Sequence, residues 1–187
     1  TVLEGNHGAG TGASVGKLLG FEHAMKSGIG TCGIQVGDLQ VAAIVAVNAC
    51  GNVVDYETNE LLAGVYDSHS GSVLKAQDVL FQQMDALRKL PEGNTTIGCI
   101  VTNAKLDKAQ CTKIAGIAHN GYARAIHPVH TMSDGDSIFV LSSGEVEVMA
   151  DAVGMLATEM MAKAIKRAVL HAESAYGLPA HSDVICK

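Results

Sequence analysis

The chain has 187 residues, enough for one hydrophobic core that buries roughly 70% of the unfolded surface. Hydrophobic residues at 48% and charged residues at 17% argue against disorder, while aromatics at 4% and a net charge of -6 argue against stacking on bases or tracking a phosphate backbone. The 5 cysteines, Cys32, Cys50, Cys99, Cys111 and Cys186, are odd in number, widely spaced and form no C-x-x-C pair, as expected of reduced core thiols in a cytoplasmic protein. No apolar run approaches a membrane span and no secretory leader is apparent, so neither membrane nor nucleic acid is an expected partner; the start at Thr1 rather than Met leaves room for an upstream segment.

Residues 5–17, with Gly5, Gly8, Gly10, Gly12 and Gly16, are too glycine-rich for a regular element. A P-loop fails at two positions, Thr11 and Leu18, and the looser dinucleotide pattern of Gly8, Gly10 and Ala13 lacks a preceding strand. What remains is either a wide turn or a loop that presents Lys17 to a substrate. Residues 28–37 read as a strand loosened by glycines, and residues 39–47 as a strand covered on both faces. Asn48 ends that strand, either as a turn residue or as an amide that donates to a developing oxyanion. A short strand follows at 52–56, a polar loop at 66–72, and an apolar spacing over 73–90 (Leu74, Leu80, Met84, Leu87) that suits a helix or a tether.

Gly93, Asn94, Thr95, Thr96 and Ile97 carry a loop into a buried strand. Asn94 to Thr96 also reads as a glycosylation sequon. If the bond after Asn94 is cut, however, Thr95 becomes a terminal residue carrying both a nucleophilic hydroxyl and an α-amino base. Asp107 with Gln110 predicts a capped helix, with an apolar stripe from Cys111 to Ile126 and a stop at Pro128. His127 and His130 read as hydrogen-bonding histidines, lacking a third ligand at metal spacing. Asp134-Gly135-Asp136 is a turn pair or, alternatively, two carboxylates set to tune a nearby amine or hydroxyl. A strand at 138–141 and a long Ala- and Met-rich helix over 148–176, stopped by Gly177 and Pro179, complete an α/β layered sandwich.

Six motifs in order, residues 4–6, 8–12, 28–31, 94–98, 123–126 and 130–136, resemble the L-aminopeptidase/D-esterase family, which includes β-peptidyl aminopeptidases and the nylon-oligomer hydrolase acting on 6-aminohexanoate oligomers. The resemblance implies a four-layer αββα sandwich like that of N-terminal-nucleophile hydrolases. It also implies a precursor that cuts itself between Asn94 and Thr95 into a chain ending at 94 and a chain spanning 95–187, both within one domain. Carried over by position, Thr95 is the nucleophile and Asp134 and Asp136 match the pair that steadies its amine. Asn48 matches the residue that polarises the carbonyl, and Lys17 one that lines the site. No metal or organic cofactor is implied, the substrate is a small peptide or amide oligomer, and the processed units form a homo-oligomer, a tetramer in the family. Family members also extend well upstream and take a catalytic tyrosine from there, so an upstream segment or second chain is expected to complete this fold. The competing expectation is a binding or assembly protein that keeps the fold without the chemistry.

Overall fold

The computed structural model describes residues 2–82 and 93–184. Its strands are β1 (Ser14–Val15), β2 (Met25–Lys26), β3 (Ile29–Val36), β4 (Leu39–Ala46), β5 (Asn52–Val54), β6 (Leu61–Ala63), β7 (Val65–Asp67), β8 (Ser72–Leu74), β9 (Ile97–Ala104), β10 (Ile126–His127) and β11 (Ser137–Val146). Its helices are α1 (Ala76–Gln82), α2 (Lys108–Ala125), α3 (Ala150–Leu170) and α4 (His181–Val184). The centre is a four-stranded sheet in the order β11-β9-β4-β3, antiparallel except for the parallel pair β11/β9, which α2 connects. Smaller sheets, β10-β5-β6, β1-β2 and β7-β8, lie around it. Among the described residues no helix is long and apolar enough to cross a membrane.

The sheet buries one face against α2 and α3. Along β4, Leu39, Val41, Ala43 and Val45 are buried and alternate with more exposed residues, so one side of the pleat supplies the core. From the helices, Ile114, Ala118 and Tyr122 of α2 and Met160, Met161, Ala164 and Ile165 of α3 meet them. Each of the larger aliphatic side chains among them, the Val, Leu, Ile and Met, contributes about 1.5–3 kcal/mol. Close approach sets one glycine: a Cβ on Gly30 of β3 would lie 1.9 Å from the carbonyl oxygen of Ala164, so α3 can rest on the sheet only over a bare backbone.

The opposite face is open. Ile97 and Val101 of β9 and Phe139 and Leu141 of β11 are roughly half exposed there, beside Ile44 of β4. Cover on both faces, expected from the nearly continuous apolar run at 39–47, is therefore realised on one face among the described residues.

The capping box on α2 forms as predicted: Gln110 N–H donates to Asp107 Oδ1 at 2.7 Å, and Asp107 N–H donates to Gln110 Oε1 at 2.9 Å. The helix stops at Ala125 instead of at Pro128, because Ile126 and His127 turn extended to pair with Val53 and Asn52. The long Ala- and Met-rich helix, α3, is shorter than expected, ending at Leu170. Asn6 binds both backbone groups of Glu173, its amide donating to the carbonyl at 2.7 Å and its Oδ1 accepting from the N–H at 3.0 Å, and this draws the chain off the helical path. The polar stretch 66–72 is a hairpin rather than a plain loop. Asp67 closes it by accepting from His69 N–H and Ser70 Oγ. Of the helix expected over 73–90, α1 is seen, while Met84 and Leu87, like Cys186, lie outside the described residues.

Candidate active site

Strand directions bring three chain segments to one edge of the central sheet. β4 runs antiparallel to β9, so Asn48, just past the end of β4, meets Thr95 at the approach to β9. β11 runs parallel to β9, so the turn at 134–136 arrives alongside the same point. There Asn94 and Asp134 form a bridge, and Ser137 N–H donates to Thr96 O at 3.0 Å.

The peptide bond between Asn94 and Thr95 lies at the middle of this arrangement. Thr95 Oγ1 donates to the carbonyl oxygen of Asn94 at 2.6 Å, and the Gly135 N–H donates to the same oxygen at 2.8 Å. On the other side of the bond, Thr95 N–H donates to Asn48 O at 2.9 Å. Asn94 is buried and Thr95 half-buried.

Lys17 reaches the site from the glycine-rich segment. β1 ends at Val15, the chain reverses at Gly16, and Lys17 N–H docks on Cys50 O at 2.9 Å. Lys17 Nζ then donates to Asn48 Oδ1 at 2.8 Å, which also accepts from Ser14 N–H at 3.3 Å. Burial lowers the Lys17 ammonium to about 8, with Cys50 and Asp134 opposing part of that shift. Burial also pushes the Cys50 thiol up to about 11, and Asp134 adds to it. With its oxygen so occupied, the Asn48 amide is oriented, and its Nδ2 donates to Gly93 O at 3.2 Å. The structure thus brings Lys17 and Asn48 together beside the Asn94–Thr95 bond, with the Asn48 amide on the carbonyl of Gly93, one residue before that bond.

The two aspartates have separate tasks. Asp134 Oδ2 accepts from Thr131 N–H and Thr131 Oγ1, each at 2.8 Å, while its buried Oδ1 has no hydrogen-bond partner among the described residues. Asp136 Oδ1 accepts from Thr96 N–H at 2.9 Å, and His130 Nδ1 lies 2.9 Å from Asp136 Oδ2. His119 packs edge-on against His130, with ring centroids 4.8 Å apart, and burial first, then His130, lowers its pKa. Behind them the Tyr122 hydroxyl donates to Thr96 O and Ser137 O, joining the starts of β9 and β11; burial raises its pKa far above the usual phenol range.

Two participants had no site role in the sequence reading. His130 was read as a hydrogen-bonding histidine, which it is, but its partner Asp136 is recognisable only once the turn is folded. Gly135 was read as a turn residue, whereas here its amide faces a carbonyl. The glycine-rich loop also differs from a phosphate cradle, which needs converging N–H groups. It points two carbonyls, Thr11 O and Ala13 O, at the buried Lys26 ammonium, each at 2.9 Å. Beside Thr95, a cavity of about 630 Å³ extends over the open sheet face past Ile44, Ile97, Phe139 and Leu141. Among the described residues no three His, Cys, Asp or Glu groups converge as a metal ion would require.

The architecture is that of N-terminal-nucleophile-type aminopeptidases. A Burkholderia sp. beta-aminopeptidase aligns with a TM-score of 0.63 at 22% identity, over 99% of this chain and 53% of that one. An L-aminopeptidase D-Ala-esterase/amidase from Ochrobactrum anthropi, described as a variant of the Ntn hydrolase fold, aligns at 0.64 and 20%, over 99% and 52%. Sequence makes the assignment more specific: residues 1–182 match the model of peptidase family S58, and the chain belongs to that family. An uncharacterized aminopeptidase of Mycobacterium leprae is 36% identical over 199 residues, covering 97% of this chain and 52% of that protein. The 6-aminohexanoate-oligomer endohydrolase of Paenarthrobacter ureafaciens is 30% identical over 182 residues, covering 88% and 50%. The chain spans about half the length of these relatives.

Proposed function

We propose that this protein is an amide hydrolase that cuts its own chain between Asn94 and Thr95 and then uses Thr95 as an N-terminal nucleophile. The observation that carries the reading is the 2.6 Å contact of the Thr95 hydroxyl with the Asn94 carbonyl, which sets the nucleophile against the bond it would cut. Oγ1 bonds to the carbonyl carbon, the carbon–nitrogen bond breaks, and the hydroxyl proton ends on the nitrogen of Thr95. Water then hydrolyses the resulting ester and releases Asn94 as a carboxylate.

The freed α-amino group has a reference pKa of about 7.7–8.0, so near neutral pH a useful fraction accepts the hydroxyl proton for each later turnover. Asn48 O, already bonded to this nitrogen, holds it in place, and the buried Oδ1 of Asp134, unpartnered among the described residues, offers an acceptor from the neighbouring turn. With Gly93 and Asn94 withdrawn, the Asn48 amide is free to donate to a substrate oxyanion, and Lys17 keeps it oriented. No cofactor enters these steps.

The substrate class follows the relatives: small peptides or amide oligomers such as 6-aminohexanoate oligomers, cleaved by an aminopeptidase-type reaction. The open apolar sheet face supports a further part of the reading, that an upstream segment or chain packs on it, completes the four layers and supplies the tyrosine seen in the family. Processed units, a chain ending at residue 94 and one spanning 95–187, then assemble as a homo-oligomer. The test is the intact mass of purified protein under denaturing conditions, alone and as Thr95→Ala. Two fragments meeting at 94/95 in wild type and one uncut species in the variant are expected; cleavage in the variant would overturn the reading.

A further inference from the structure

If the bond after Asn94 is cut by Thr95, the negative charge that develops on the Asn94 oxygen must be met by a donor, and the structure allows one to be named. In the uncut chain that oxygen accepts from Thr95 Oγ1 at 2.6 Å and from Gly135 N–H at 2.8 Å. The first donor disappears as the reaction begins, because Oγ1 becomes bonded to the carbonyl carbon and gives up its proton. Asn48, the side chain placed for such a role by sequence, is engaged with Gly93 O at 3.2 Å.

We propose that the Gly135 main-chain N–H is the oxyanion donor of self-cleavage, distinct from the Asn48 amide that serves external substrates. This rests on the self-cleavage reading above and deepens it. It also accounts for glycine between the two aspartates. A Cβ at 135 would stand 2.8 Å from Thr95 Oγ1, so any larger residue pushes on the nucleophile it is meant to assist. Asp134 and Asp136 fix the amide from both sides. Asp134 anchors the turn to Thr131, and Asp136 anchors it to Thr96, so the N–H is aimed before the charge forms.

The test is a time course of chain cleavage during cell-free synthesis of the full chain, read by intact mass. Two variants remove the donor: Gly135→Pro, and glycolate in place of Gly135, which exchanges the N–H for an ester oxygen and keeps the shape. Both should cut about 10²–10³-fold more slowly than wild type, the cost of losing one such donor. If proline disturbs the turn, the glycolate variant decides, with its melting temperature as the check on folding. Wild-type rates in a folded glycolate variant overturn the donor role and leave Thr95 as nucleophile intact. A wild-type chain that stays whole overturns both.

Discussion

Two polar networks flank Thr95, and they differ in what the proposed cut does to them. The Lys17–Asn48 network touches both sides of the bond through Thr95 N–H and Gly93 O, so if the chain parts it keeps the nitrogen and gives up the Gly93 carbonyl. The His130–Asp136 network grips Thr96 N–H, one residue further on, and loses nothing. The first is built to change partners; the second is built to stay.

Breaking the shared element gives the largest effect. Thr95→Ala should abolish chain cleavage and reduce amide turnover by about 10⁴–10⁶-fold, since nucleophile and base groups fail as a unit; intact mass and an amide-release assay check both. Asn48→Ala sharpens the contrast. Turnover of an external amide should fall about 10²–10³-fold while cleavage of the chain falls less, measured as the ratio of the two rates. Equal losses would mean that both networks serve both reactions. Asp136→Asn keeps the shape but weakens a charge-assisted bond worth about 1.5–3 kcal/mol, so cleavage should slow roughly 10–100-fold with the fold retained by circular dichroism.

A pH signature of the Lys17 side is read in stability and not in rate. Lys17 holds its proton less tightly in the folded chain, at about 8 against an ordinary 10.5, so between these values the unfolded chain carries more protons and folding stability rises with pH. Relative to Lys17→Met, wild type should gain on the order of 2–3 kcal/mol across that window, read from denaturant titrations at several pH values. A parallel course for the two proteins would remove the buried ammonium from the argument.

Where local chemistry and tertiary structure agree, the sequence was a good guide. The Asp107–Gln110 box, the strands on either side of Asn48 and Thr95, and the family motifs all describe features the fold contains. Tertiary contacts decided the rest. α3 ends early because Asn6, far away in the chain, binds Glu173, and no local signal announces that pairing. The nearly continuous apolar run of β4 encodes two partners for the sheet, and the helices supply one. At the site, side chains were legible but backbone was not. Lys17, Asn48 and the aspartates, marked by the family resemblance, come together around the Asn94–Thr95 bond, whereas the Gly135 amide has no side chain to betray it. His130 depends on the positive-φ conformation that carries its ring to Asp136.

The three contacts on Thr96 have a thermodynamic consequence. Chain ends fray, and fixing the backbone of one residue costs about 1–2 kcal/mol of conformational entropy. Here the residue after the new end has its N–H tied to Asp136 and its carbonyl tied to both Ser137 N–H and Tyr122, whose buried phenol stays a donor. On the C-terminal side of such a cut, only Thr95 would therefore stand ahead of an anchored residue, and Asn48 O is already in contact with its nitrogen.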